Sequence, residues 1–254
     1  MATTQPNHTS QSPPTTTYRT SPNGKPTATP GEYNQFIKDP IRHFLSIPWC
    51  AALLKDKSVV DAYPVDRRPL PRGEGSFVRQ IINSGTTVRA NVIFKRSLAI
   101  KPMDGEGVEE AGGIVVDRAL LEGQDERCLL FNALLDLGGD LCSYQHTLHG
   151  GLISLFLDEL MTTAAIFGDE DAAEHGVYTV QLNTRFKKAI KMPQILLLRA
   201  RIVRREGRKL FVRGTIQDRD GTVMAEGESV GLEMNRSIGR TTGGRRVPKS
   251  PPKL

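Results

Sequence analysis

The clearest pattern in the chain is an apolar segment, residues 151–167, that one polar stripe interrupts. Drawn as a helix, the segment is apolar on nearly every side, which predicts a helix buried all round. Ser154, Asp158 and Thr162 are spaced by four residues and therefore share one face of that helix. The pattern predicts a buried helix at about 150–167 with a polar stripe along it.

An acid and two glycines mark this helix as a candidate site. A carboxylate in an apolar helix is costly unless it is paired or used, so Asp158 is either a hydrogen-bonded structural residue or a reacting group. Gly150 and Gly151 open the helix, where free N–H groups and the helix dipole favour negative charge or a polarised oxygen. From the helix alone, both interpretations of Asp158 remain open.

Alternating positions after the helix predict antiparallel strands. Leu196, Leu198 and Ala200 face one way, while Arg199 and Arg201 face the other. Gly-containing turns at 206–207 and 220–221 separate successive strands. The predicted strands span residues 178–187, 195–204, 209–217 and 222–233, with earlier candidates at 114–121 and 127–137. These elements predict an α+β fold, an antiparallel sheet wrapped around one central buried helix.

The first half of the chain is less regular. A helical segment at 40–57, interrupted at Pro48, leads into a connector at 63–72 that is rich in proline and arginine. Residues 77–83 and 86–95 fit strands or short helical pieces equally well, and 102–113 fits a loop. We therefore predict an N-terminal extension over residues 31–109 and a main domain over residues 110–235.

Both ends have the composition of disordered segments. Residues 1–30 are rich in Ser, Thr, Pro and Asn, without the apolar core of a secretory signal. Residues 236–254 carry six basic residues and no acid, which equals the formal net charge of +6. This distribution favours a solubilising tail over a basic domain, so no nucleic-acid partner is expected. No run of 18 apolar residues occurs, so no transmembrane segment is expected either.

The sequence contains no spacing of residues that is typical of a metal-binding or phosphate-binding motif. The three cysteines and five histidines form no zinc pattern, so no metal is expected. Free thiols favour a reducing compartment, and we expect a cytoplasmic location with a mitochondrial one as the alternative. Phosphate-loop, Gly-x-Ser-x-Gly and dinucleotide motifs are missing from the sequence as well.

Three features together resemble a known family. They are the sequence His149-Gly150-Gly151, an acid nine residues after the histidine, and Tyr178-Thr179-Val180-Gln181-Leu182-Asn183 before Arg185-Phe186. Over about residues 110–235 the chain resembles the hotdog-fold acyl-CoA thioesterases. It is most similar to the phenylacetyl-CoA thioesterase-like group and its eukaryotic thioesterase-superfamily members.

The resemblance implies a hotdog fold and the hydrolysis of an acyl-CoA thioester to a carboxylic acid and free coenzyme A. It implies that Asp158 is the general base or the nucleophile, that the Gly150 N–H polarises the thioester carbonyl, and that Thr179 positions water. Coenzyme A would be part of the substrate, and no cofactor is expected. The alternative is a non-catalytic acyl-CoA-binding or assembly module on the same scaffold, because fold does not decide function.

The same resemblance implies a set of substrate-binding residues. Ser143 stands where relatives have Asn or Gln, so Ser143 or Gln145 is expected to replace that residue. A basic group after the second motif suits the phosphates of coenzyme A. The expected substrate-binding residues are His149, Gly151, Ser143, Gln145, Thr162, Asn183, Arg185, Lys187 and Lys188.

The spacing within the helix predicts a site shared between two chains. Gly150 and Asp158 lie eight residues apart, or about 12 Å along a helix. Reacting atoms must approach to about 3–3.5 Å. One helix is therefore not expected to supply both groups to one thioester, and we predict a homodimer or a dimer of dimers.

Overall fold

The computed structural model describes residues 31–99, 107–109, 115–117 and 127–234. Its helices are α1 (Pro40–Leu45), α2 (Pro48–Leu54), α3 (Gly150–Phe167) and α4 (Glu170–His175), with a π-helical turn at Phe77–Ile81 and a 3-10 turn at Gly139–Leu141. The predicted leader, 1–30, and the predicted basic tail, 236–254, lie outside the described residues.

Eleven strands are present in the described residues. They are β1 (Val59–Pro64), β2 (Val88–Ala99), β3 (Gly107–Glu109), β4 (Val115–Asp117), β5 (Arg127–Leu137), β6 (Cys142–Tyr144), β7 (Thr147–Leu148), β8 (Val177–Phe186), β9 (Gln194–Glu206), β10 (Lys209–Gln217) and β11 (Val223–Glu233). Seven of them form an antiparallel sheet in the order β1-β2-β5-β9-β10-β11-β8. Strands β3–β4 and β6–β7 form two small separate pairs.

Helix α3 packs against one face of the sheet, over strands β5, β8, β9, β10 and β11. The residues between helix and sheet form the larger hydrophobic core, which includes Phe156, Met161 and Leu198. A second core on the opposite face joins α1 and α2 to the sheet through Phe44, Phe94 and Leu134. The predicted hotdog architecture, an antiparallel sheet around a central helix, is confirmed.

Residues 59–99, which the sequence analysis assigned to an N-terminal extension, contribute two strands to the main sheet. Strand β2 pairs with β5 from Val88 to Ala99, and β1 pairs with β2. Both faces of β2 are covered, because Val88 and Ile93 belong to the core under α3, while Val92 belongs to the core under α1 and α2. A strand buried on both faces lacks the period-two alternation that would have identified it.

Helix α3 is buried on one side only, so the prediction that it is buried all round is wrong for the single chain. Its buried residues are Ile153, Phe156, Leu157, Leu160, Met161, Ala164 and Ala165. By length and composition alone α3 could cross a membrane, but a core helix meets the same test. The packing of its buried side on the sheet is that of a core helix, and its other side carries the acids.

Candidate active site

The start of α3 is capped by the residue before it. The Nδ1 atom of His149 accepts a hydrogen bond from the Gly151 N–H at 2.9 Å. The His149 carbonyl accepts from the N–H groups of Leu152 and Ile153 at 2.9 and 3.1 Å. Within the part of the chain that the structure describes, the Gly150 N–H has no acceptor. Of the first four N–H groups of the helix, the Gly150 N–H is therefore the one open to a ligand.

The two glycines differ in what surrounds them. A Cβ atom on Gly151 would lie 3.0 Å from the capping Nδ1 of His149, so the glycine leaves room for the cap. A Cβ atom on Gly150 would lie 3.5 Å from the Phe186 ring, which is ordinary van der Waals contact. Gly151 is thus a structural requirement, whereas Gly150 has space beside it and a free N–H.

Asp158 lies two turns further along α3 and is half-buried. Its Oδ1 atom is shielded from solvent and has no hydrogen-bond partner among the described residues. A buried acceptor without a partner costs about 1–3 kcal/mol, and more when it is charged. The structural interpretation of Asp158, a hydrogen-bonded core residue, is therefore wrong for this oxygen.

A pair of hydroxyl groups adjoins this acid. The Oγ1 atoms of Thr162, one turn after Asp158, and of Thr179 on β8 are 3.1 Å apart. The structure thus brings together two of the predicted site residues from separate elements. The pair supplies hydroxyl groups that can donate or accept a hydrogen bond beside the carboxylate.

A β-bulge explains how β8 reaches both parts of α3. The register between β8 and β11 shifts so that Gln181 and Thr179 pair with consecutive residues of β11, which leaves Val180 as the extra residue. Thr179 therefore faces α3 before the bulge, and Leu182 and Phe186 face it after the bulge. In a regular strand, side chains an odd number of residues apart lie on opposite faces. Without the bulge, Phe186 would therefore point away from the start of the helix when Thr179 faces it.

The predicted phosphate-binding residues lie on the other face of β8 or just beyond its end. The Nζ atom of Lys187 lies 2.9 Å from Oε1 of Glu226, and Nη1 of Arg185 lies 3.5 Å from Oε2 of the same carboxylate. Two of these cations thus share one acid. Asn183 and Lys188 are exposed on the same part of the surface.

Ser143 and Gln145 belong to the β6–β7 hairpin and are exposed. The hairpin is joined to the loop at 187–193, because the Leu148 N–H donates to the Ile190 carbonyl at 3.0 Å and the Met192 N–H to the His146 carbonyl at 3.1 Å. No side-chain hydrogen bond links Ser143 or Gln145 to α3 in the described residues. These two residues lie beside the basic loop, at the helix start.

Glu159 is a candidate residue that the sequence analysis left without a role. Its side chain is open to solvent, yet burial and the neighbouring Asp158 raise the pKa of its carboxyl, while Arg67 and Arg79 lower it. Only the folded chain reveals this setting, because both arginines come from the N-terminal half.

The described residues contain no group of three or more His, Cys, Asp or Glu side chains that could hold a metal ion. Burial, with Asp136 as the second cause, raises the pKa of the Cys50 thiol to about 12. Cys50 is therefore protonated near neutral pH and unsuited to act as a nucleophile. Among the Asp and Glu side chains that the structure describes, only Asp158 has a buried oxygen without a hydrogen-bond partner.

A comparison with models of protein families finds a match in the second half of the chain. The family model for the thioesterase superfamily matches residues 145–225, which run from the β6–β7 hairpin into β11. Over these residues the chain is similar to the thioesterase superfamily. The resemblance that the His-Gly-Gly motif predicted is thereby confirmed. The comparison with curated proteins finds no match.

Solved structures of thioesterases align with part of the chain. A thioesterase superfamily protein is 24% identical over 41% of this chain and 49% of its own, with a TM-score of 0.38. The phenylacetic acid degradation-related protein of Ralstonia eutropha JMP134 is 21% identical over 41% of this chain and 75% of its own, with a TM-score of 0.37. Zebra fish thioesterase superfamily member 2 is 18% identical over 42% of this chain and 75% of its own, with a TM-score of 0.38.

Proposed function

We propose that the protein hydrolyses an acyl-CoA thioester to a carboxylic acid and free coenzyme A. Asp158 acts as general base or nucleophile, and the Gly150 N–H polarises the thioester carbonyl. The observation that carries the proposal is the buried Oδ1 atom of Asp158, which has no partner among the described residues. A water molecule or a substrate group would supply the missing hydrogen bond.

The proposed chemistry needs the residues of the site and no cofactor. Asp158, as general base, takes a proton from water while the water oxygen bonds to the thioester carbon. The negative charge that develops on the carbonyl oxygen is stabilised by the Gly150 N–H at the positive end of α3. The carbon–sulfur bond then breaks, and the thiolate of coenzyme A takes up a proton.

The alternative role of Asp158 is direct attack. Its carboxylate would displace the thiolate and form a mixed anhydride with the acyl group, which water then hydrolyses. Both routes use the same two residues and give the same products. A single turnover in ¹⁸O-labelled water distinguishes them. If water opens the anhydride at the Asp158 carbonyl, the label enters the Asp158 carboxylate, whereas the general-base route puts the label only into the product acid.

We also propose that the functional unit contains two chains joined along β8. This strand is one edge of the sheet, and its exposed apolar side chains include Tyr178, Val180 and Phe186, which are 61%, 56% and 56% exposed. A long apolar edge strand is a template for pairing with another chain. Because most oligomers are symmetric assemblies of identical chains, we propose a second copy of this chain as the partner.

Pairing of two β8 strands would also complete the site. On β8, Phe186 lies beside Gly150, and Thr179 lies beside the acid region through Thr162. If two copies pair antiparallel about a two-fold axis near the middle of the strand, the Phe186 end of one meets the Thr179 end of the other. Such pairing brings the helix start of one chain towards Asp158 of its partner.

The test is the release of free thiol from a panel of acyl-CoA esters by the wild-type protein and by Asp158→Asn. We expect the nearly isosteric variant to fold normally and to lose about 10²-fold or more in kcat. Asp140→Asn, at an exposed acid on the 3-10 turn, is the matched control and should behave like the wild type. Near wild-type turnover by a folded Asp158→Asn variant would show that another residue is the base.

The same panel separates the enzyme from the non-catalytic alternative. An acyl-CoA-binding or assembly module would bind the esters without releasing thiol, and Asp158→Asn would leave that binding unchanged. Equilibrium dialysis with a non-hydrolysable thioether analogue of an acyl-CoA measures binding in both variants. Binding without hydrolysis by the wild-type protein across the panel would contradict the proposed function.

A further inference from the structure

The β6–β7 hairpin and the loop after β8 form one small antiparallel unit just before the start of α3. Within the hairpin Tyr144 pairs with Thr147, and Thr147 forms an antiparallel bridge with Lys191 of the loop. Directly opposite residues of an antiparallel pair point to the same face. Tyr144, Thr147 and Lys191 therefore form one row of side chains, with the hydroxyl between the ring and the ammonium group.

The inner side of this unit belongs to the hydrophobic core that surrounds α3. Leu148, Ile190 and Met192 are 2%, 0% and 5% exposed, and all three lie in that core. Because successive side chains of an extended segment point to opposite faces, the neighbouring Thr147 and Lys191 point outwards. Packing thus fixes the unit from below, and the row faces solvent.

A β-bulge places Tyr144 on the outer side. Cys142 pairs with Leu148 and Tyr144 pairs with Thr147, so Ser143 is the extra residue of β6. Cys142 packs against the core, whereas Tyr144 is 79% exposed. In a regular strand these two residues would share one face, so it is the bulge that turns the tyrosine ring towards solvent.

Lys191 supplies a positive charge in the same row. It is exposed, and it makes no ion pair with an acid that the structure describes, unlike Lys187, which pairs with Glu226. The Gln194 side chain donates to the Lys191 carbonyl at 2.6 Å and holds the main chain in place. Each pair in the row is separated by about 5 Å. A flat ring beside an available cation suits a ligand that carries both a base and a phosphate.

The row lies within reach of the proposed reaction centre. Thr147 comes three residues before Gly150, so their Cα atoms are at most about 11 Å apart. Tyr144 and Lys191 each lie about 5 Å to one side of Thr147. In an acyl-CoA the flexible pantetheine arm separates the thioester from the adenine nucleotide. A substrate whose carbonyl is bound by the Gly150 N–H could therefore place its nucleotide on the row.

We propose that Tyr144 and Lys191 are specificity-determining residues that bind the nucleotide end of coenzyme A. The adenine stacks on the Tyr144 ring, and the Lys191 ammonium donates hydrogen bonds to a phosphate group of the nucleotide. The proposal deepens the proposed function and rests on it for the identity of the substrate. It explains how the protein distinguishes a CoA thioester from the same acyl group on pantetheine alone.

The kinetic test compares an acyl-CoA with the matching acyl-pantetheine, which lacks the nucleotide. We expect Tyr144→Ala to lower kcat/KM for the CoA ester about 10-fold, because the base loses its stacking surface. The value for the pantetheine ester should not change. Tyr144→Phe keeps the ring and should retain most of the wild-type value, and Lys191→Gln should lower kcat/KM several-fold for the CoA ester alone.

Lys209→Gln is the matched control for the loss of a surface charge. Lys209 is an exposed lysine at the start of β10, where the strand pairs with the far end of β11 from Phe186. We expect this variant to behave like the wild type with both esters. An equal loss with both esters in Tyr144→Ala would mean that Tyr144 supports the fold or a contact between chains, and the proposal would fail.

Equilibrium dialysis with free coenzyme A tests the row without turnover. We expect Tyr144→Ala to raise the Kd for coenzyme A about 10-fold and Lys191→Gln to raise it several-fold. If the wild-type protein hydrolysed no ester but showed these changes in Kd, the proposed hydrolysis would fail and the nucleotide site would stand. An unchanged Kd in both variants would overturn the nucleotide site.

Discussion

The two ends of the candidate site on α3 differ in where their partners come from. At the helix start, His149 caps the N–H of Gly151 with its own side chain and leaves the Gly150 N–H free. Further along, Asp158 lacks a partner for Oδ1, the hydroxyl pair one turn away includes Thr179 of β8, and arginines of the N-terminal half lower the pKa of the adjacent Glu159. The helix start is therefore built locally, whereas the acid region depends on the tertiary fold and, we propose, on a second chain.

Beside the loss predicted for Asp158→Asn, the largest effect is expected at the helix start. Gly150→Pro removes the free N–H while keeping the helix, because proline is favoured at the first helical position and His149 already has the extended backbone that precedes it. Loss of one such donor should lower kcat by about 10²-fold. Thiol release at saturating acyl-CoA measures this effect.

Gly150→Ala is the control for this variant, because it keeps the N–H and adds only a methyl group at 3.5 Å from the Phe186 ring. We expect it to retain most of the activity. Equal losses in the alanine and proline variants would mean that space at Gly150 matters and that its N–H does not.

A smaller effect is expected at the threonine pair. Thr179→Val removes one hydroxyl beside the acid region and should lower kcat/KM roughly fivefold, since one hydrogen bond is worth about 1 kcal/mol. Thr163→Val is the control, because Oγ1 of Thr163 donates to the Glu159 carbonyl of its own helix at 2.8 Å. Steady-state kinetics measure kcat/KM for both variants. A larger loss of kcat/KM in Thr163→Val than in Thr179→Val would contradict the role of Thr179.

The smallest effect concerns stability. The folded chain raises the pKa of Glu159 through burial and Asp158, so its ionised form is less favourable in the folded chain than in the unfolded one. The contribution of the Glu159 carboxyl to the free energy of unfolding is thus greatest at low pH, and it is lost as the pH rises through the raised pKa. Glu159→Gln should raise Tm near about pH 7 and leave it unchanged below about pH 4. Thermal unfolding at both pH values measures the change in Tm caused by Glu159→Gln. An increase in Tm only at low pH would contradict this prediction.

Local signals made the helix start predictable. The predicted helix at about 150–167 coincides with Gly150–Phe167, and the strand predicted at 209–217 coincides with Lys209–Gln217. Capping residues and hydrophobic periods act over a few residues, so a single sequence contains them. Thr162 and Thr179 were each predicted as site residues, and the fold shows that they pair.

The rest of the site depends on contacts between distant segments. The bulge at Val180, which turns Phe186 towards the helix start, leaves no sequence signal because it is a mismatch between two strands. The pKa of Glu159 is lowered by Arg67, which the sequence analysis placed in a connector outside the main domain. The position of Arg185 and Lys187 against Glu226 depends on the register of β8 and β11. Cytoplasmic or mitochondrial location stays a prediction.

The central claim, a site shared between two chains, is tested most directly by mixing two inactive variants. Asp158→Asn keeps the Gly150 N–H, and Gly150→Pro keeps Asp158, so a mixed dimer contains one complete site. After random exchange of subunits, about half of the dimers are mixed, and about one quarter of the wild-type activity should return. If each chain contained its own complete site, mixing would restore nothing, and that result would contradict the account.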